Sequence, residues 1–420
     1  MTNILWLCNV ILPDIANEFN ISTAASGGWL HSLSKQLKKD PNIDFAVCFA
    51  NKNLAKIKKH GCLDGIKFWC FDAQNLSNSE LFKKIIDEFT PDVIHIFGTE
   101  MHHSYEMINL CEKNGIVDRT VISIQGLKSI CAKHYYAGLP QLVINSFSLR
   151  DFLRFDNIRR QQKIFYKQGL EEISTLSKAI HIIGRTDWDE ACVKRINPNI
   201  KYHFCNETLR PAFYNHQWNF EKCEKHSIFV SQCNYPIIGF HLMLEAMVDI
   251  VKRYPNAHLY TTGLNPLKVS FKQKLTQTYY QKYIGKLIKK YHLEDYVTFL
   301  GYLDEHQMCD RFLKSHVFVS CSSIENSPNS VGEAMLLGTP VVSSDVGGVK
   351  NMLTHNKEGF IYPYDEPYMI AYYISRYFED SSLCEKMSQA TRTHAQVTHD
   401  IKLNYEKLLT IYNNIVNSIV

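Results

Sequence analysis

Two glutamates eight positions apart, Glu325 and Glu333, frame the stretch richest in chemistry, VFVSCSSIENSPNSVGEAMLLGTPVVSSDVGG from Val317 to Gly348. A strand-length apolar run ends in a polar loop, which enters a helical pattern near Asn329 to Val331. The helix stops at Gly338, and Pro340 to Ser343 forms the next strand. Backbone N–H groups at a helix start lack intrahelical partners and lie at the positive end of the dipole, which suits an anionic diphosphate. A carboxylate within the first turns can grip ribose hydroxyls, and Glu325, on the loop, is free to face whatever the phosphate carries. Other candidates stand elsewhere. Arg185 follows the strand-like run Ala179 to Ile183, and Arg210 lies near the boundary between the two halves. His95, inside an apolar run, either faces a cleft or is a core histidine whose ring is satisfied, the ordinary state.

The elements that must position these groups repeat in each half of the chain. Asn3 to Cys8, Phe45 to Phe49, Val93 to Phe97, Val121 to Ile124 and Ala179 to Ile183 read as strands in the first half. Ser227 to Val230, His258 to Thr262, Val297 to Leu300, Val317 to Ser320 and Pro340 to Ser343 follow in the second. Amphipathic helices alternate with them, the signature of parallel sheets covered on both faces. The polar stretch Asn215 to Lys225 reads as a linker. Residues 1–214 then form one domain, 215–400 a second, and 401–420 a helix that packs across both or back onto the first. Two such sheets leave a cleft, and loops beyond the carboxyl ends of the strands are where ligands bind.

Composition narrows the chemistry. The chain has 420 residues, 46 Lys and Arg against 42 Asp and Glu, and a net charge of +4. Length excludes a miniprotein, and the mild charge excludes a duplex nucleic-acid binder. Residues 1–210 hold 26 basic and 22 acidic side chains, so the excess sits in the first half. Residues 146–172 concentrate Arg150, Arg154, Arg159, Arg160, Lys163 and Lys167 among phenylalanines and leucines, a basic amphipathic pattern that suits an anionic membrane surface or an ordinary half-solvated helix. The 13 cysteines form no CxxC pair and have no histidines at zinc spacing, so a reducing, cytoplasmic setting without a metal site is expected.

The Glu-x7-Glu spacing followed by AMLLGTPVVSSDVGG resembles the donor site of family 4 retaining glycosyltransferases, and PDVIHIFGTE, GRTDWDEA and NETLRPAFY resemble segments of a bacterial surface-polysaccharide subgroup. The resemblance implies an α/β GT-B fold, two Rossmann-like doubly wound parallel-sheet domains facing across a cleft. It implies transfer of a sugar from a nucleoside-diphosphate sugar to a glycan or lipid-linked acceptor, by a metal-independent enzyme without a cofactor, cytoplasmic and peripheral at the inner face of the membrane. Carried onto this chain, it makes Glu333 the ribose ligand and Glu325 the contact to the donor sugar. The backbone from Ser327 through Asn329, Ser330 and Val331 becomes the phosphate cradle, and Gly27 and Gly28 let the backbone approach the donor phosphate.

One departure matters. The family usually places an Arg and a Lys in the loop after the second domain's first strand, where this chain has Gln232 and Ile238. Arg185 or Arg210 could replace the lost cations, or the protein binds donor without transferring it. Gln125 stands where the family often has His, leaving it a hydrogen-bonding role on the acceptor side, beside the other candidate there, His95.

Overall fold

The computed structural model describes residues 1–21, 29–75 and 77–418. Gly27 and Gly28 lie outside the described residues. The chain divides into two compact units: residues 1–129, 167–211 and 399–420 form the first, and 130–166 and 212–398 the second.

The first unit is built on an eight-stranded sheet, counted among the described residues. Its strands are β1 (Thr2–Cys8), β2 (Ile43–Ala50), β3 (His60–Leu63), β4 (Ile66–Phe71), β5 (Val93–Phe97), β6 (Thr120–Ser123), β7 (His181–Gly184) and β8 (Lys201–Phe204), in the order β3-β4-β2-β1-β5-β6-β7-β8. Only β3 and β4 run antiparallel. Asp64 and Gly65 both take positive φ between them, the geometry a two-residue hairpin turn demands. Every side chain of β5 is buried, which explains why a parallel strand reads as a continuous apolar run and not as an alternation. Trp6 anchors the core edge-on to Phe45 and Phe97, at 4.9 and 4.8 Å between ring centres. Its indole N–H donates at 2.9 Å to Tyr412 of the helix Ile401–Asn417, which therefore packs on this unit.

The second unit carries β9 (Glu224–Val230), β10 (His258–Thr261), β11 (Val297–Phe299), β12 (Ser315–Ser320), β13 (Val341–Ser344) and β14 (Phe360–Tyr362), all parallel, in the order β11-β10-β9-β12-β13-β14. Chain order runs outward from β9 in one direction and from β12 in the other. The switch point between β9 and β12 is where ligands settle in such sheets. The loop leaving β12 is the one that holds Glu325.

Three expectations change. Residues 215–225 are no free linker: Trp218 is buried, its backbone N–H donating to Leu337 O at 2.8 Å and its indole N–H to Ser315 O at 2.7 Å. The polar side chains around it masked one large apolar anchor. Residues 130–166, placed by sequence order with the first domain, belong to the second unit, since Tyr135, Leu139, Val143, Ile144 and Ile158 share a core with Ile228 of β9 and Val319 of β12. The basic stretch is also not one helix. It breaks at Phe155, whose φ is 52°, into helices Leu149–Arg154 and Ile158–Lys178.

Candidate functional site

The loop after β9 is neutral and fixed by its backbone. Gln232 is exposed, and Ile238 closes a short turn, Pro236–Ile238, with its side chain half-buried. Gly239 follows at φ 70°, and a Cβ there would sit 1.9 Å from the carbonyl oxygen of Cys321. Only glycine lets this turn lie against the end of β12. The Ser323 N–H donates to Ile237 O at 2.7 Å and the Cys321 thiol to Ile238 O at 3.1 Å, so the loops leaving β9 and β12 are bound to each other at the switch point.

From β12 the chain passes through Cys321 to Pro328 and enters the helix Asn329–Leu337, which begins on Pro328 with no side-chain cap and no acidic residue in its first turn. Some helices of the chain cap their first N–H groups with a side chain, as Asp304 does for Gln307, and others, such as Phe240–Arg253, do not. Here Asn329 and Ser330 stand half-buried at an uncapped, positively polarised end, whereas Val331 is fully buried and offers only backbone. The Ser327 hydroxyl is buried without a hydrogen-bond partner among the described residues. Glu333, one turn beyond Asn329, is 4% exposed and engaged by the protein.

Glu325 is held by its backbone and poised by its side chain. The Gly348 N–H donates to Glu325 O at 3.2 Å, and a Cβ on Gly347, at φ 53°, would fall 1.7 Å from that same oxygen. The glycine pair after β13 is thus a clamp on the Glu325 peptide. Burial raises the Glu325 carboxyl to about 7, while the Ser322 hydroxyl, donating to Oε1 at 2.7 Å, works in the opposite direction. At neutral pH this group can donate or accept a hydrogen bond. Lys350 follows the clamp directly and pairs with Asp345 at 2.7 Å while staying exposed. It is a cation at the carboxyl edge of this sheet that sequence reasoning passed over, although it lies two residues beyond Gly348.

The other predicted residues lie in the first unit, and the structure commits most of them. Arg185 is 8% exposed, ion-paired with Glu207, and donates to Ile124 O at 2.9 Å. Its charge is therefore already answered, which corrects the expectation of a cation available to an anion. Gln125 donates to the same Glu207 carboxylate. Arg210 is half-buried and engaged. His95 is a core histidine: its ring nitrogens lie 2.6 Å from the Tyr412 hydroxyl and 2.7 Å from that of Ser123, its ring stacks on Phe97, and burial lowers it to about 3. Arg185 and Gln125 share the Glu207 carboxylate, while His95 is bonded separately, to Tyr412 and Ser123. Sequence reasoning also missed Glu100, which closes the PDVIHIFGTE run just beyond β5. Burial, with Glu172 nearby, raises it to about 7, and its Oε2 has no partner among the described residues.

These two parallel-sheet units define a GT-B fold, and solved structures agree. Sucrose-phosphate synthase from Thermosynechococcus elongatus superposes with a TM-score of 0.73 at 14% identity, covering 100% of both chains. Anabaena HepE, solved in complex with UDP, gives 0.66 at 14% identity over 99% of this chain and 100% of its own. Residues 213–394, nearly all of the second unit's main segment, match the family model of glycosyl transferases group 1. This segment is thus similar to group 1 glycosyltransferases. A putative glycosyltransferase of Bacillus subtilis, YtcC, is 28% identical over 184 residues, 43% of this chain and 43% of its own. The putative colanic acid biosynthesis glycosyltransferase WcaL of Escherichia coli is 27% identical over 168 residues, 39% of this chain and 38% of its own. Each of these matches spans under half of the relative's length.

Proposed function

We propose that the protein is a retaining glycosyltransferase of family 4 type that moves a sugar from a nucleoside-diphosphate sugar to a glycan or lipid-linked acceptor in surface-polysaccharide synthesis, of the capsule or O-antigen kind. The observation that carries this reading is the uncapped start of the helix Asn329–Leu337 beside the clamped Glu325 loop at the β9–β12 switch point. In this reading the backbone from Ser327 to Val331, at the start of this helix, cradles the diphosphate. Glu333 takes the ribose hydroxyls and Glu325 those of the sugar. The donor phosphate accepts the acceptor's proton, so neither a metal nor a cofactor is called for. The names of relatives such as WcaL and the amylovoran biosynthesis glycosyltransferase AmsK support the polysaccharide setting. HepE's complexes with UDP and UDP-glucose support a nucleotide-sugar donor. A lipid-linked acceptor would place the protein in the cytoplasm, at the inner face of the membrane.

A second reading, donor binding without transfer, is favoured by Gln232 and Ile238, which leave the β9 loop without the cations expected to neutralise a leaving diphosphate. Consumption assays over a panel of nucleotide sugars, with Glu325→Ala as control, decide between the two. Turnover that falls by about a hundredfold or more in the variant supports transfer. Tight nucleotide binding with no turnover for any donor establishes the second reading.

A further inference from the structure

Exposed apolar surface is unevenly distributed in this protein. Of 22 large hydrophobic side chains exposed among the described residues, eight fall between Leu142 and Tyr166. Phe147, Phe152 and Phe155 are 60%, 58% and 61% exposed, and their rings form a row, at 5.9 Å from the first to the second and 6.4 Å from the second to the third. Leu142, Leu149 and Leu153 extend it. A contiguous apolar ridge of this kind on a water-facing surface marks a contact with something else.

The ridge is held outward by a built support. The helix Leu149–Arg154 opens with a reciprocal cap between Ser148 and Asp151, and the buried Asp151 carboxylate also accepts the Tyr279 N–H at 2.8 Å. Asp151 faces the protein, so Phe152 and Leu153 face away from it. Both acidic side chains of this segment are taken: Arg150 pairs with Asp151 at 3.1 Å and with Asp156 at 2.8 Å. Arg154, Arg159, Arg160 and Lys163 are exposed, with no carboxylate within salt-bridge distance among the described residues, and the Arg160 guanidinium lies 4.7 Å from the Phe155 ring centre.

We infer that the face from Leu142 to Lys163 is a docking surface for an anionic lipid bilayer, its phenylalanines and leucines entering the interface and its four cations meeting lipid phosphates. Aromatic and leucine side chains with basic neighbours are the composition that binds there. A second copy of the chain fits less well, because a two-fold contact sets the same patch against itself and brings cation onto cation. A nucleic acid would answer the cations and leave the leucines without a role. The segment belongs to the same compact unit as the Glu325 loop, and the Ser323 hydroxyl donates to His134 O at 3.1 Å, so bilayer and donor would be held by one unit. The inference uses none of the residues of the proposed transfer and stands apart from it.

Co-sedimentation of the full chain with vesicles of phosphatidylcholine, with or without phosphatidylglycerol, tests this. The protein is expected to pellet with the anionic vesicles and stay in solution with the neutral ones. Phe147→Ser, Phe152→Ser and Phe155→Ser together, and separately Arg159→Gln, Arg160→Gln and Lys163→Gln together, should each weaken binding by about a hundredfold. All six positions are exposed, so an unchanged melting midpoint will show that the fold is intact. Wild-type protein that ignores anionic vesicles overturns the inference, as do variants that bind like the wild type. A phenylalanine variant that converts a dimer into a monomer without changing vesicle binding overturns it too, and identifies a second copy as the occupant. Donor consumption, measured on the same preparations, reports independently on the transfer reading.

Discussion

The carboxyl edges of the two sheets solve opposite problems. At the second unit's edge the walls are backbone: the Pro236–Gly239 turn, the clamped Glu325 peptide and an uncapped helix start, with no side-chain cation on the β9 or β12 loop. At the first unit's edge the cation Arg185 is paired with Glu207, Gln125 donates to the same carboxylate, and the neutral His95 is held between Tyr412 and Ser123. An anion can be received where donors are left over. It is received less readily where the cation is already in a buried pair, because breaking that pair leaves a buried charge unanswered.

The sharpest way to break this contrast is Glu207→Ala, which leaves Arg185 buried and unpaired. It should cost about 3–5 kcal/mol in urea unfolding while leaving nucleoside-diphosphate affinity unchanged in the protein that remains folded. If affinity collapses with stability retained, the first edge is a ligand site after all. Next, Gly347→Ala drives a methyl group into Glu325 O and should cost about 3 kcal/mol. Unlike the Glu207 change, it should also abolish nucleotide binding, as calorimetry will record. Ile238→Lys restores a cation to the neutral edge, and turnover is expected to rise about tenfold. No change in rate would mean that another group, Lys350 foremost, already serves.

The smallest effect is in the pH dependence of stability, and it differs in sign between Glu325 and His95. Glu325 keeps its proton in the folded protein up to about 7, whereas the unfolded chain releases it near 4.5, so the stability it contributes at low pH is lost as pH rises through that window. His95 runs the other way. Its unfolded ring takes a proton below 6.5 and its folded ring not until about 3, so stability falls as pH drops. Glu325→Gln should flatten the neutral limb of a denaturation series and leave the acid limb alone. Glu100, also raised to about 7, supplies the slope that remains.

What the sequence discloses here is what is local. Continuous apolar runs announced the buried parallel strands, and the order of strand, loop, Glu325, helix and Gly347–Gly348 placed the second edge within a residue or two. The β3–β4 hairpin was overlooked although Asp64–Gly65 is its turn signal, and β14 was overlooked although Gly359 and Pro363 bracket its apolar run. The spent state of Arg185 is not local at all: Glu207 is 22 residues away, across a helix and a strand. Nor is the membership of residues 130–166 local, since it is decided by Tyr135 and Ile158 meeting a sheet that begins near residue 224.

The division of the chain also sets an order of construction. The second unit has all its residues once 398 has been made, although most of it is encoded after the first. The first unit must wait for residues 399–420, because Tyr412 meets Trp6 across a separation of 406 positions. During synthesis the earlier-encoded sheet therefore stays unfinished longest, with Trp6 and His95 lacking the Tyr412 hydroxyl until the helix Ile401–Asn417 has left the ribosome. A truncation that removes that helix would cripple the unit furthest from it in sequence, and spare the one beside it.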